Sequence, residues 1–322
     1  MGLTTRLTRS FDLTHPILSA PMANAAGGAL AGAVTQAGGL GLIGGAYGDP
    51  TWIAGEFAKA GNRAVGCGLI TWNLAGRPEI LSQVLSHQPA ALMLSFGDPA
   101  PFAAQIAAAG VPLIVQVQSL RDARRAADVG AQVIVAQGSE AGGHGQSRAT
   151  MSLVPEVADA MARAHPEVIV LAAGGIADGR GLAAALMLGA EGVVIGSRFW
   201  ASAEALVAPD MLAAAMQANG DDTIRSTVMD VARRLNWPDR YTCRVLRNAF
   251  TDRWHEDLDG LIAVAESEAV KWGAAWEVGD PQAANTFVGE AVGLIETVRP
   301  AGDLISEIAA QAEALLGGGW RR

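Results

Sequence analysis

The chain has 322 residues, of which 50% are hydrophobic and 17% are charged, with 39 glycines. This length and composition fit one densely packed α/β domain with an extension, and they exclude a disordered or fibrous chain. A net charge of −9 at pH 7, without any run of Lys or Arg, argues against a nucleic-acid partner.

The N-terminal sequence MGLTTRLTRSFDL contains no apolar signal core. No window reaches the roughly 18 uninterrupted apolar residues that a membrane span needs, so we expect a soluble, cytoplasmic protein without a membrane partner. Cys67 and Cys243 are too few for a disulfide scaffold or a four-cysteine metal site. Both are predicted to be ordinary reduced thiols, and no metal is expected.

Eight short apolar runs bounded by Gly, Pro or Asp follow one another along the chain. Such runs are typical of parallel strands that are buried on both faces. The segments between them have helical patterns, and in one of these Ser119 is predicted as the N-cap and Gly130 as the C-terminal stop. The runs cover residues 15–22, 39–47, 63–71, 90–97, 112–119, 133–138, 168–175 and 192–199.

A βα unit that repeats eight times predicts a (β/α)8 TIM barrel, an α/β fold without sheet edges. The alternative, an open doubly wound sheet, typically has G-x-G-x-x-G after its first strand, where this chain reads APMANAAGG. We predict the barrel core in residues 1–202 and a C-terminal helical extension in residues 203–322, because strand patterns end at about residue 203. Residues 220–258, rich in charge and Trp, are predicted either to cover the barrel mouth or to form the contact of a homodimer.

Two glycine turns follow the last two predicted strands. The seventh strand ends in Gly174 and Gly175, and the eighth runs into Gly196 and Ser197. Active sites of such barrels lie at the C-terminal ends of the strands, and phosphate commonly binds after strands seven and eight. Glycine permits close backbone approach, and exposed N–H groups at a helix start bind phosphate. The two turns together predict a ligand that carries a phosphate.

The sixth predicted strand leads into QGSEAGGHG (137–145), in which four glycines surround His144. Imidazole titrates near neutral pH, so His144 could take a proton from carbon or return one to a carbanion. The alternative is a histidine of an ordinary surface loop. The other four histidines precede the first strand or lie in helix and linker contexts, and they are predicted to be structural: His15, His87, His165 and His255.

Several classes of barrel enzyme are excluded because the predicted strand ends lack the catalytic residues that these classes need. Lys59 and Lys271 are the only lysines and follow no strand, so a Schiff-base aldolase or a pyridoxal-phosphate enzyme lacks its nucleophile. No cysteine lies in the loop after strand six, and Cys67 is predicted to be a core residue. Acidic residues do not pair at strand ends as a glycosidase or a two-metal hydrolase requires. An organic cofactor must therefore supply the reactivity.

Four motifs resemble the nitronate monooxygenase (2-nitropropane dioxygenase-like) family over roughly residues 12–200: APM, QGSEAGGHG, AAGGIADGRG and VVIGSRF. The resemblance implies an FMN-dependent oxidoreductase in which His144 is the catalytic acid/base. It implies contacts to the flavin ring or ribityl chain from Pro21, Met22, Ala23, Gln137, Gly142 and Gly143. It implies that the FMN phosphate is held by Gly174, Gly175, Gly196 and Ser197.

Two positions depart from the family pattern. Members often have Asn at the end of strand three, where this chain reads GCGLITW (66–72), so we expect Thr71 as the polar flavin contact and Trp72 in the substrate pocket. A lysine frequently ends strand five near the flavin, where this chain has Gln116 and Gln118, and Gln116 is expected to face the cofactor. A neutral amide stabilises a reduced anionic flavin less than an ammonium does. Because of these two departures, the resemblance does not identify the substrate.

Three functions compete on these grounds. The first is an oxidase that acts on alkyl nitronates, small molecules, with O2. The second is an NAD(P)H-dependent FMN reductase of enoyl thioesters or quinones, because flavin-dependent enoyl-acyl-carrier-protein reductases share E-A-G-G-H. The third is a flavin-binding protein without catalysis, for which the glycine turns would suffice.

Overall fold

The fold is a ring of parallel strands surrounded by helices, with a second, smaller sheet beside it. The computed structural model describes residues 2–319, so residue 1 and residues 320–322, at the ends of the two predicted ranges, lie outside the described residues. The strands are β1 (Ile17–Ser19), β2 (Leu42–Ala46), β3 (Gly66–Ile70), β4 (Leu92–Ser95), β5 (Leu113–Val117), β6 (Val133–Gln137), β7 (Gly143–Gly145), β8 (Ile169–Ala173), β9 (Val193–Ile195), β10 (Thr223–Ser226) and β11 (Thr242–Leu246).

The α-helices are α1 (Arg6–Phe11), α2 (Gly28–Gln36), α3 (Pro50–Ala60), α4 (Thr71–Leu74), α5 (Glu79–Ser86), α6 (Ala100–Ala108), α7 (Leu120–Asp128), α8 (Thr150–Ala164), α9 (Gly179–Met187), α10 (Ser197–Trp200), α11 (Pro209–Met216), α12 (Val228–Ala232), α13 (Ala249–Trp254), α14 (Leu258–Ala263), α15 (Ala265–Val278) and α16 (Ala301–Ala314). Short 3-10 helices cover Gly220–Asp222 and Glu290–Leu294.

The eight predicted strands form one parallel sheet in the order β1-β9-β8-β6-β5-β4-β3-β2. A bridge between Leu18 and Leu40 joins the first strand to the segment before β2, and the Ser19 N–H donates to the Leu40 carbonyl at 3.1 Å. The TIM-barrel prediction is therefore confirmed. Each strand is shorter than its apolar run, because residues at one or both ends of the run lie outside the ladder.

The barrel interior is filled by apolar side chains of the strands, and its N-terminal end is closed by α1. Leu7 of α1 is fully buried in the same cluster as Leu18, Met93, Ile114 and Leu171. Full burial of such a side chain contributes about 1.5–3 kcal/mol relative to exposure. The interior is thus a packed core, which leaves the opposite end of the barrel for a ligand.

Local signals set the helix ends as the sequence predicts. The Ser119 hydroxyl accepts the Asp122 N–H at 3.1 Å at the start of α7, and Gly130 follows the helix with φ of +91°. The last helix, α16, packs between α9 and α2 and so completes the ring of barrel helices. Its contact with α9 requires glycine, because a Cβ on Gly179 would lie 2.5 Å from Cβ of Gln311.

The prediction that strands end near residue 203 is wrong. Strands β10 and β11 pair antiparallel, and β11 also pairs with β7, which places Cys243 opposite His144. The sequences TIRS and TCRVL mix polar and apolar residues, so no continuous apolar run marks them. Their partner is a glycine-rich tripeptide about 100 residues away in the chain, and local patterns do not show such a pairing.

Residues 203–299 form an insertion between the last barrel strand and α16. A bridge joins Ser202 to Arg299 at its two ends, and the Ala203 N–H donates to the Arg299 carbonyl at 3.1 Å. The insertion has its own apolar cluster, which includes Met229, Val245 and Leu261. None of the helices between residues 2 and 319 combines the length and apolar character of a membrane span.

Candidate active site

A cavity of about 440 Å3 opens at the carboxyl ends of the barrel strands, and this volume lies in the range of small-molecule and cofactor sites. Barrel loops form one part of its wall and the insertion forms the other. The structure brings these sequence-predicted residues to the wall: Pro21, Met22, Ala23, Gln116, Gln137, Gly142, Gly143, His144, Gly174, Gly175, Gly196 and Ser197.

The glycine turns after β8 and β9 expose their backbone to the cavity. Gly174 and Gly175 have φ of +102° and +73°, which other residues rarely adopt. A Cβ on Gly174 would lie 2.9 Å from the Thr150 hydroxyl, whereas a Cβ on Gly196 would have its nearest atom, Cβ of Ala20, 3.7 Å away. A ligand can therefore approach the backbone of Gly196 closely, as a phosphate group requires.

The loop after β6 is shaped by Glu140. Its carboxylate accepts the Thr150 N–H at 3.0 Å and the Thr150 hydroxyl at 2.9 Å. On the other side of the loop, a Cβ on Gly142 would lie 2.5 Å from the carbonyl carbon of Val288. The acidic residue and the glycine of E-A-G-G-H thus fix the loop that leads to His144.

Three glutamine side chains form a network beneath that loop. The Gln137 Oε1 atom accepts from Nε2 of Gln116 at 3.1 Å and from Nε2 of Gln118 at 2.8 Å. The Gln137 Nε2 group donates to the His144 carbonyl at 3.2 Å. The oxygen of Gln137 must therefore face the other two amides, and its amide nitrogen holds β7 in place.

His144 is buried in the cavity wall and is held by Asp230. Its Nε2 atom lies 3.0 Å from both carboxylate oxygens of Asp230, and the two side chains are 7% and 6% exposed. Asp230 lies on α12 in the insertion, so the barrel supplies the imidazole and the insertion supplies the carboxylate. No described residue between 2 and 319 bonds to Nδ1 of His144.

The protonation state of His144 follows from these contacts. Burial lowers the pKa of the imidazole below its usual value, and the hydrogen bond and charge of Asp230 oppose this effect. The neutral ring is thus favoured at neutral pH. Because a carboxylate only accepts, Nε2 carries the proton, and Nδ1 keeps the lone pair that a base needs.

Aromatic side chains surround the imidazole. The Trp237 ring stacks on His144 with 3.4 Å between ring centroids and an interplanar angle of 5°, and Phe96 contacts the same imidazole edge-on at 6.1 Å. The Trp237 Nε1 atom donates to the Tyr47 hydroxyl at 3.1 Å. These rings exclude water from the cavity wall around His144.

Two predicted residues do not reach the cavity wall. Thr71 is buried at the start of α4 and lies against Gly97, where a Cβ would come within 2.8 Å of its own Cβ. The Trp72 ring packs behind the wall, 6.1 Å from Tyr47 and 5.4 Å from Trp237. Thr71 therefore has no cavity surface from which to contact a flavin, and Trp72 supports two lining rings.

Several residues of the site were not predicted from the sequence. Arg233 and Trp237 line the cavity, and Asp230 bonds to His144 in its wall. All three come from residues 220–258, and the structure places this charged, Trp-rich stretch at the barrel mouth. Its composition was the available signal, but no motif identifies the individual positions. Among residues 2–319, no group of three or more His, Cys, Asp or Glu side chains could hold a metal ion.

Comparisons with known proteins give a family model, curated relatives and solved structures that are similar to this chain. Residues 73–311 match the family model of nitronate monooxygenase. A nitronate monooxygenase from Neurospora crassa is 37% identical, over 96% of this chain and 92% of its own length. FabK from Thermotoga maritima is 29% identical with a TM-score of 0.86 over 98% of both chains. A nitroalkane oxidase from Streptomyces ansochromogenes, 23% identical over 96% of this chain and 99% of its own, shares the fold with a TM-score of 0.82.

Proposed function

Since this chain belongs to the nitronate monooxygenase family of oxidoreductases, we propose that it uses FMN to oxidise alkyl nitronates with O2. The pairing of His144 with Asp230 at the wall of the cavity is the observation that carries the proposal. It gives a barrel of this family an acid/base next to the space that a flavin and a small substrate would share.

The lining residues of the cavity support the assignment of FMN. Gly174, Gly175, Gly196 and Ser197 would hold the phosphate, because the open backbone over Gly196 lets an anion approach N–H groups. The ring contacts would come from Pro21, Met22, Ala23, Gln116, Gln137, Gly142 and Gly143. When bound, FMN supplies the redox chemistry, accepting electrons from the substrate and passing them to O2.

A nitronate is already deprotonated at carbon, so His144 has a proton to move when the substrate enters the cavity as the neutral nitroalkane. The carbon next to its nitro group is acidic, and loss of that proton gives the nitronate that is oxidised. Nδ1 of the neutral imidazole takes this proton, while Nε2–H remains bonded to Asp230 and fixes the orientation of the ring. Asp230 also stabilises the imidazolium that results, because its carboxylate lies 3.0 Å away.

The aromatic wall supports the same step. Trp237 and Phe96 keep His144 poorly hydrated, which holds the free base form of the ring. A hydrogen bond or charge in such a water-poor site acts more strongly than in bulk water. The chain's own residues thus bind and orient the substrate, and His144 deprotonates it when it enters as the nitroalkane.

The second candidate is an NAD(P)H-dependent FMN reductase. It is favoured by the E-A-G-G-H sequence, which flavin-dependent enoyl-acyl-carrier-protein reductases share, and His144 could equally return a proton to a carbanion. Such an enzyme would take its electrons from NADH or NADPH, and O2 would not be needed.

Anaerobic reduction of the purified holoenzyme distinguishes the two. The visible spectrum first tests for bound FMN, and the protein is then mixed without O2 with NADH, NADPH or an alkyl nitronate. Bleaching only by the nitronate supports the oxidase. Rapid bleaching by a nicotinamide cofactor supports the reductase, and a colourless protein that cannot take up FMN would contradict both.

A further inference from the structure

Arg233 brings a positive charge to the cavity wall. It follows α12 directly, three residues after Asp230 in the chain, and its side chain lines the cavity. It is the only Arg or Lys among the described residues that line the cavity. A positive charge at this place is available to whatever occupies the space above the barrel.

The guanidinium of Arg233 is held by aromatic rings rather than by a carboxylate. Its Cζ atom lies 5.5 Å from the Tyr47 ring centroid, 5.7 Å from that of Trp272 and 5.6 Å from that of Phe287. Such contacts orient the planar head but leave its N–H donors free. Within residues 2–319, no acidic side chain lies within ion-pair distance of it.

Two other arginines of the insertion differ in this respect. Arg240 pairs with Asp122 at 3.3 Å, and Arg244 pairs with Glu290 at 2.7 Å. Their charges are compensated within the protein. Among the arginines of residues 2–319 that have no ion pair, Arg233 is the one that lines the cavity, and this favours an acceptor from outside the chain.

Asn285, which is bonded to Trp272, adds a second hydrogen-bond donor beside Arg233. Its Oδ1 atom accepts the Trp272 Nε1–H at 2.7 Å. Because an indole N–H only donates, this bond fixes the amide orientation and leaves Nδ2 as the free end. Asn285 is fully buried and lines the cavity, and its Nδ2 group has no partner among the described residues. A buried donor without an acceptor is costly, which favours a ligand acceptor at this place.

From this placement we propose that Arg233 and Asn285 form an anion-recognition subsite, which selects substrates that carry a negatively charged oxygen group. The proposal rests on the proposed function in one respect, since it takes the occupant of this wall to be the substrate. The apolar part of such a substrate would pack on Tyr47, Trp272 and Phe287. Guanidinium and amide N–H groups would bind its carboxylate or nitronate oxygens by charge-assisted hydrogen bonds.

A binding experiment tests the subsite without turnover. The holoenzyme is titrated with butyrate and with the neutral analogue butyramide, and tryptophan fluorescence and flavin absorbance are followed. We expect butyrate to bind at least about tenfold more tightly, which corresponds to about 1.4 kcal/mol. Arg233→Gln should remove this preference and Arg233→Lys should retain part of it, so that loss of charge is separated from loss of fold.

Matched variants complete the design. Arg234→Gln removes the same charge from the neighbouring, exposed position and should leave butyrate binding unchanged. Asn285→Asp keeps the acceptor for Trp272 but replaces the free donor with an oxygen, and it should abolish butyrate binding. Equal binding of butyrate and butyramide to the wild type, or unchanged butyrate binding in Arg233→Gln, would overturn the proposal. Loss of FMN from Arg233→Gln would overturn it as well, because Arg233 would then hold the cofactor phosphate.

Kinetics then identify which charge is recognised. Nitroethane nitronate carries its charge only on the reacting group, whereas the nitronate of 4-nitrobutanoate also carries a carboxylate. If Arg233→Gln raises KM for both, the reacting group is recognised; if it raises KM only for the second, a distal carboxylate is recognised. Arg233-dependent butyrate binding in a protein that oxidises no nitronate would leave the subsite standing and remove the oxidase function.

Discussion

Nε2 of His144 lies 3.0 Å from each carboxylate oxygen of Asp230, although the two residues are 86 positions apart in the chain. This hydrogen-bonded pair is one of the contacts that join the insertion to the barrel. We expect Asp230→Asn to lower kcat by about tenfold to a thousandfold, because the ring loses the partner that orients it. Asp230 raises the pKa of His144, so its loss should move the acid limb of the kcat/KM profile to lower pH. Asp239→Asn, an exposed change in the same segment, serves as the control, and an unmoved acid limb in Asp230→Asn would contradict the assignment.

Trp237 should lower the pKa of His144, whereas Asp230 raises it. Burial is the largest cause of the lowered pKa of His144, and Trp237 covers one face of its ring. Trp237→Ala lets water reach the imidazole, so its pKa should rise towards the usual value of about 6.5. The acid limb of kcat/KM then moves to higher pH, and Trp237→Phe should shift it less. A downward shift in Trp237→Ala would show that burial does not control this group.

His144→Ala separates catalysis from cofactor binding. The imidazole is not among the groups expected to hold the phosphate, so the variant should keep its flavin spectrum. Loss of the acid/base should lower turnover of a nitroalkane by at least about two orders of magnitude. Stopped-flow reduction of the bound flavin by the nitroalkane measures this step directly, and reduction by the preformed nitronate, which needs no proton transfer from carbon, serves as the control. Unchanged turnover with full FMN content would leave the non-catalytic flavin-binding role as the better explanation for this loop.

Gly196→Ala tests the phosphate position without unfolding the protein. A methyl group at residue 196 would have its nearest protein atom 3.7 Å away, so the free energy of unfolding of the apoprotein should change little. The same methyl projects over the backbone that a phosphate would approach, and FMN content should fall at least about tenfold. Gly273→Ala, in an open position of α15, should keep FMN and stabilise the helix by about 1 kcal/mol. Full FMN content in Gly196→Ala would place the phosphate elsewhere.

Both cysteines should be unreactive in the native protein. Burial raises the pKa of Cys67 to about 12 and that of Cys243 well above its usual value, so almost no thiolate forms at pH 8. Iodoacetamide followed by mass spectrometry should find neither residue labelled until denaturant is added. Rapid native labelling of Cys243, which pairs with His144 across β11 and β7, would mean that the small sheet opens readily.

The barrel could be predicted because its strands are buried on both faces and therefore appear as continuous apolar runs. The residues after these runs, such as Gly174 and His144, lie where the fold places every strand end, and the structure brings them to one cavity. Thr71 follows a strand too, but it starts α4 and turns into the protein behind Gly97. Position after a strand thus predicts proximity to the site and not side-chain direction.

The insertion could not be predicted in the same way. Arg233 and Trp237 reach the cavity, and Asp230 reaches His144, from the segment between β10 and β11. β10 pairs with β11 and β11 pairs with β7, and this pairing depends on residues distant in the chain. A charged, Trp-rich composition suggested a cover over the barrel mouth or a homodimer contact, and the structure places the stretch at the cavity. A homodimer stays a prediction.

The bridge between Ser202 and Arg299 has a consequence for how this enzyme can be engineered. Both ends of the insertion leave the barrel at one bridge, while α16 resumes the helix ring beyond it. The barrel carries His144 and the glycine turns that we propose to hold the phosphate, and the insertion carries Asp230, Arg233 and Asn285. We therefore expect that exchange of residues 203–299 between relatives would transfer substrate preference to an unchanged barrel, with the two splice points side by side.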